Sequence, residues 1–290
     1  IGLDIHQAQI TACALIEEPD GIPAMLQRLD AWLPATLAGE PDAPAVPATV
    51  LAGHWQRVLV ATAHGEVAGW YRPGAGTLQV RLHAPGSAPF TPAEVADDGA
   101  VLLVDLHGHG ASSESEAALT VPTLVAGVLA LIDALAPTAV LQLRLHGAAA
   151  ACLPGLAARL GPRLAAAHLD TPWLLNAEEQ ACLLANLPVT VIDRAGGHLG
   201  DAWHWERERH LLWPWLPPSA AARRLVDAPD PARVHANVVE LLRLGPRLAP
   251  LLAATTPPDL AGQLRALDLA LSVSAEPAND YQGRAAALLS

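Results

Sequence analysis

The sequence predicts an α/β protein, a doubly wound and mainly parallel sheet with an inserted helical cap. Three observations predict it. Short apolar strand patterns recur from about residue 55, and from residue 101 onward helical patterns separate them. The strand signal stops between about 176 and 256, where helical segments rich in Trp, Arg and Pro take over. It returns once, at 269–275.

Residues 55–62 (WQRVLVAT) and 66–71 (EVAGWY) alternate around Ala63-His64-Gly65, which reads as a β-hairpin. A third strand is expected at 77–83 (TLQVRLH) and a fourth at 101–106 (VLLVDL). Thr120 is the expected N-cap of an apolar-periodic helix reaching about Ala136, with Pro122 in its first turn. A fifth strand, 139–145 (AVLQLRL), runs into a tight strand-to-helix turn, and 164–175 holds a sixth. The expected organisation is an N-terminal segment with a Pro-rich linker over 1–50, a core over 51–175, a cap over 176–256 and a continuation of the core over 257–290. The first 34 residues also resemble the last 22, each reading as strand, Glu-Pro turn and short helix; a repeat and a chance match between two Ala/Leu-rich stretches both fit.

Composition narrows the function classes. Over 290 residues, 52% are apolar and 16% charged, enough to bury a large core. Asp133, Pro137, Arg144 and Pro154 interrupt the apolar runs before they reach the roughly 20 residues of a bilayer span, so no membrane partner is expected. The net charge of -12 argues against a nucleic-acid partner. All 17 basic residues are Arg, which rules out Schiff-base lysine chemistry. Cys13, Cys152 and Cys182 are too few and too irregular for a disulfide framework or a zinc site, suggesting a reducing, cytoplasmic setting. With no initiator Met at Ile1, the chain is expected to begin inside a longer reading frame.

Three segments carry a family resemblance. VLLVDLHGHGASS (101–113), Leu82-His83-Ala84-Pro85-Gly86, and LRLHGAAAACLPGLAARLG (143–161) are similar, in order and spacing, to the strand-four turn, oxyanion turn and nucleophile elbow of α/β hydrolases. GGHLGDAWHWERERHLLWPW (196–215) resembles a cap pattern of esterase-like members, with Glu208 where that pattern has Asp. The resemblance covers about 55–280 and implies an ester hydrolase needing no cofactor.

Set against the elbow motif G-x-S-x-G, this chain reads Leu145-His146-Gly147-Ala148-Ala149, with Gly147 at the nucleophile position. No side chain can attack from there. Glycine suits the left-handed backbone of such a turn, so its shape can outlast its chemistry. The resemblance implies an anion pocket at Ala148 with Ala84 or Gly86, His83 and His146 nearby as proton carriers, and Asp280 as the acid after the last strand. The chain stops at Ser290 before an eighth strand and its His; His6 or Asp20 of the N-terminal segment could supply a group instead.

Other polar residues have plainer expectations. Asp105, His107 and His109 are read as turn residues, with Ser112 and Ser113 capping that turn; Ser87 also lies outside the elbow. His198, His204 and His210 lie six residues apart and so face away from one another on a helix, leaving Asp201 no metal-binding partners and predicting no metal site. Trp203, Trp205, Trp213 and Trp215 either line the cap's underside, where a small apolar or aromatic molecule would bind, or pack the cap onto the core. Two readings remain: a hydrolase-like enzyme in which a His assists attack by water, and a non-catalytic ligand-binding or assembly domain, a pseudoenzyme in a homo-oligomer or tandem chain.

Overall fold

A computed structural model describes residues 54–96, 99–114, 118–212 and 228–274, with 287 and 289. The 1–50 segment with His6 and Asp20, Trp213, Trp215 and Asp280 lie outside the described residues. The strands are β1 (Gln56–Thr62), β2 (Gly65–Arg72), β3 (Leu78–Leu82), β4 (Val101–Asp105), β5 (Leu141–His146), β6 (Leu164–Asp170) and β7 (Ala270–Ser274). They form one sheet in the order β1-β2-β4-β3-β5-β6-β7. β2 runs antiparallel to β1 and β4, and all pairs from β4 to β7 are parallel. The chain is therefore a mostly parallel sheet flanked by helices with inserted helical segments, a capped α/β-hydrolase architecture.

Local chemistry sets the elements. The hairpin closes with Thr62 opposite Gly65, whose φ of +104° needs glycine. Helix α1 (Val121–Leu135) begins where the Thr120 hydroxyl accepts the Thr123 N–H, and it buries Leu124, Val128, Leu131 and Ile132 against the sheet. Helix α2 (Leu153–Leu160) follows β5 through a 3-10 turn over Gly147–Cys152. The inserted helices are α3 (Ala177–Ala185), α4 (Gly197–Leu211), α5 (Pro231–Leu244) and α6 (Leu248–Thr255); α7 (Leu260–Arg265) leads into β7.

The two sheet faces differ. One carries Val80, Leu82, Leu102, Val104, Leu143 and Leu145, all buried in the core beneath the helices. Along the other, cross-strand neighbours run Arg57, Trp70, Leu103, Arg81, Arg144, His168, Ser272. Parallel strands usually read as continuous apolar runs because helices bury both faces. Here LQVRL in β3 and LQLRLH in β5 alternate, and Gln142, Ala270 and Ser272 on the polar face are exposed. Arg81 and Arg144 stand opposite each other, a destabilising pair unless each charge is engaged. Arg81 bonds the Gln79 amide oxygen and Arg144 the Asp170 carboxylate.

The turn after β4 is a structural knot, as expected. Asp105 Oδ2 accepts from Arg57 and from the Ala111 N–H at 2.9 Å. Ser112 Oγ accepts the Ala68 N–H at 2.8 Å and donates to the Asp105 carbonyl at 2.6 Å, tying β2 to the turn. Gly110 is required because any Cβ there would overlap the Asp105 carboxylate. From α5, Arg243 donates to the Gly110 carbonyl, and Glu240 accepts the Gly110 N–H at 3.1 Å.

Candidate functional site

The site expected from the sequence lies where β5 meets the 3-10 turn. Gly147 has φ +54°, the left-handed backbone that lets the chain reverse sharply there. Beyond β6, Thr171 also adopts a positive φ of 47°, unusual for a β-branched residue. This bend returns the chain across the turn, where the Trp173 N–H donates to the Gly147 carbonyl at 3.3 Å. A Cβ on residue 147 would lie 2.9 Å from Trp173 Nε1 and 3.1 Å from the Ala84 Cβ. The indole thus occupies the space that a side chain at 147 would enter.

The cap fixes that indole. The Arg209 guanidinium of α4 sits between two rings, 5.2 Å from the Trp173 centroid and 5.3 Å from that of Trp205. It forks onto Glu206, with Nε to Oε2 at 3.0 Å and Nη2 to Oε1 at 2.6 Å, and reaches Ser87 Oγ at 3.2 Å. Glu206 Oε1 also accepts from Asn237 Nδ2 at 2.6 Å, and Asn237 Oδ1 accepts the Ala88 N–H at 2.9 Å. Glu206 and Asn237 are buried. α4 and α5 are thereby clamped to the loop that follows β3. Trp205 packs against Arg209 in this stack, and Trp203 is half-buried and packs on the core.

Two expected pocket residues are committed elsewhere. His83 is fully buried: its Nε2 accepts the Leu106 N–H at 3.1 Å and its Nδ1 donates to the Ala84 carbonyl at 3.0 Å, which locks β3 to β4. The Gly86 N–H donates to His109 Nε2 at 2.9 Å, so it is no longer available for an oxyanion. The His109 Nδ1 in turn donates to the His107 carbonyl at 3.0 Å. An Nε2 that accepts a backbone N–H carries no proton, so both rings are neutral. Burial holds the His83 imidazole well below its ordinary range, with repulsion from His109 adding to it, and burial brings His109 down to about 4. The sign follows. Unfolded histidines take up protons from about pH 6.5, whereas His109 in the folded chain does not until about 4. Stability is expected to fall as pH drops from about 6.5 toward 4, read by urea denaturation across that range. Ala84 lies against Gly147 and Ala148 is fully buried beyond it.

A carboxylate does meet His146, but it is Asp170 at the end of β6. His146 Nε2 lies 2.8 Å from Asp170 Oδ2, and its ring packs edge-on to Phe90 with centroids 4.6 Å apart. Asp170 is a hub. Its Oδ1 also accepts from Arg144 Nη2 at 3.1 Å and Ser274 Oγ at 2.9 Å, and His168 Nε2 lies 3.1 Å away. Burial opposes the charge, but the hydrogen bonds from His146, Arg144 and Ser274 outweigh it and hold the carboxyl far below the usual range. Sequence reasoning missed Asp170, Trp173 and Arg209. The polar residues alternating through the expected fifth and sixth strands, Arg144, His146, His168 and Asp170, were the signal for the first. Among the described residues no group of three or more His, Cys, Asp or Glu side chains could hold a metal ion.

No protein-family model matches this sequence, and no curated protein matches it. Solved structures do share the fold. An esterase from Rhodococcus sp. ECU1013 superimposes with a TM-score of 0.56 at 18% identity, covering 80% of this chain and 85% of that one. A thermophilic esterase from Thermogutta terrifontis gives 0.55 at 18% identity over 81% and 86%. A bromoperoxidase from Bacillus anthracis gives 0.57 at 15% identity over 75% and 80%. At such identities the likeness is one of fold, which many chemistries share.

Proposed function

We propose that this is a pseudo-hydrolase, an α/β-hydrolase-fold domain that keeps the strand-to-helix turn without its nucleophile and serves binding or assembly instead of serine-type ester hydrolysis at that turn. One observation carries this reading: the nucleophile position is glycine, and Trp173 Nε1 lies 2.9 Å from where a side chain there would begin. With Trp205 held in the Arg209 stack, an apolar or aromatic ligand beneath the cap would have to engage Trp203 and residues outside the described ones. No helix of the described residues is long and apolar enough to cross a membrane.

A second reading rests on the 2.8 Å contact between His146 and Asp170, the pairing needed for a His that draws a proton from water beside the turn. p-Nitrophenyl acetate separates the two. Under the first reading, His146→Ala leaves turnover at its wild-type level, whatever that level is; loss of turnover in this variant would establish the second. Gly147→Ser is expected to confer no hydrolysis and to cost about 1–3 kcal/mol through overpacking against Trp173. In a Trp173→Ala background that increment should shrink, as denaturant titration of the four-protein cycle would reveal.

A further inference from the structure

Away from Gly147, the polar sheet face carries a hydrogen-bonded pair, His168 and Ser272, that neither the turn nor the cap uses. His168 of β6 and Ser272 of β7 are register partners, and Asp170 lies two residues beyond His168 on the same face. Ser272 Oγ lies 2.8 Å from His168 Nδ1, and His168 Nε2 lies 3.1 Å from Asp170 Oδ1. We propose that Ser272, His168 and Asp170 form a serine–histidine–carboxylate relay, a nucleophile with its base and the group that orients it, and that the adjoining groove takes a small polar ester.

Proton inventory gives the relay its direction. Asp170 takes both Arg144 hydrogen bonds as an acceptor, so His168 Nε2 must carry a proton and donate to it. In the neutral imidazole that leaves Nδ1 as an acceptor and makes the Ser272 hydroxyl the donor, the polarity needed for a base to activate a nucleophile. The other acceptor near Ser272 Oγ, the Ala167 carbonyl, is at 3.5 Å, too far for a good O–H···O bond. Ser272 is exposed and the His168 side chain is 34% exposed, so both can be reached from solvent. Beside them lies a groove of about 240 Å³ lined by Gln79, Gln142, Arg144, His168 and Ser272 among others. Its size is below that of pockets for drug-sized ligands and suits short acyl groups. The side-chain amides of Gln79 and Gln142 in its lining suit a polar ester.

The chemistry balances with water alone. Ser272 Oγ bonds to the ester carbonyl carbon while its proton passes to His168 Nδ1. The tetrahedral intermediate collapses, the carbon–oxygen bond to the alcohol breaks, and the departing oxygen takes that proton. Water then attacks the acyl-serine, passing one proton through His168 back to Ser272 Oγ and releasing the acid. Gly147 takes no part.

The test is covalent labelling of the full chain with a fluorophosphonate probe, mapped by peptide mass spectrometry, alongside p-nitrophenyl acetate turnover. Expected are a phosphonyl group on Ser272, no label at that peptide in Ser272→Ala, and at least a tenfold slower labelling rate in His168→Gln. Turnover should disappear in Ser272→Ala, which keeps this outcome separate from the water-attack reading, in which Ser272 takes no part. Because Ser272 is exposed, an unchanged melting temperature in Ser272→Ala checks that the fold is intact. A wild-type chain left unlabelled at Ser272, or labelled there at an equal rate in His168→Gln, would show that these groups only stitch β6 to β7.

Discussion

Arg209→Ala is expected to cost about 3–5 kcal/mol, the usual result of removing one partner from a buried ion pair. The Arg209 side chain is 14% exposed and that of Glu206 5%, so neither charge can turn to water. Without the guanidinium, the Glu206 carboxylate would keep only the Asn237 amide among the contacts described, and the gap between Trp173 and Trp205 would lose its filling. Arg209→Lys should rescue little, since an ammonium can neither fork onto the carboxylate nor lie flat between two indoles. Urea denaturation of Arg209→Ala, Glu206→Ala and the double variant is the check. The double variant should be more stable than the sum of the single losses allows, by about 0.5–3 kcal/mol of coupling. Additive losses would mean that the stack contributes packing and the ion pair nothing.

Asp170→Asn is expected to cost about 3 kcal/mol, the low end for a broken buried pair because Arg144 is 37% exposed and can recover some hydration. The loss should depend on pH. The folded carboxyl lies below its unfolded value of about 3.9, so its stabilisation is complete above that value and fades as pH falls through and below it. Wild type and Asp170→Asn should therefore differ most at neutral pH and converge below about pH 4, read from denaturant midpoints. A constant difference down to pH 3 would remove the hydrogen-bonded carboxylate as its cause. The same variant should also slow any labelling of Ser272, because an amide can present a donor to His168 Nε2 and so favour the other tautomer.

Much of the fold was legible along the chain, because its signals are local. Alternation marked β1, β2 and β3, the Thr120 cap and Pro122 marked the start of α1, and β7 stood out after the helical stretch. Gly147 was legible for the same reason: a missing side chain is visible without coordinates, and its φ of +54° is the backbone such a turn needs. What surrounds Gly147 was not. His83 and Gly86 read as pocket residues from their place in a motif, yet each is committed to a partner on the β4 turn that no local pattern identifies. Asp280, the expected acid, lies outside the described residues, while Asp170 is the carboxylate that meets His146.

The sequence by itself therefore determined the order of strands and helices along the chain, the helical insertion and the glycine at the strand-to-helix turn, since periodicity, capping and residue identity are properties of neighbours in the chain. Only the tertiary structure decided which groups meet. β6 pairs with β5 and β7 in a register that sets Asp170 beside His146 and Ser272 beside His168, and a shift of one residue would turn those side chains to the opposite face. Trp173 covers Gly147, and Arg209 covers Trp173, through packing between segments far apart in the chain. Such contacts depend on how elements dock, which the spacing of residues within one element does not encode.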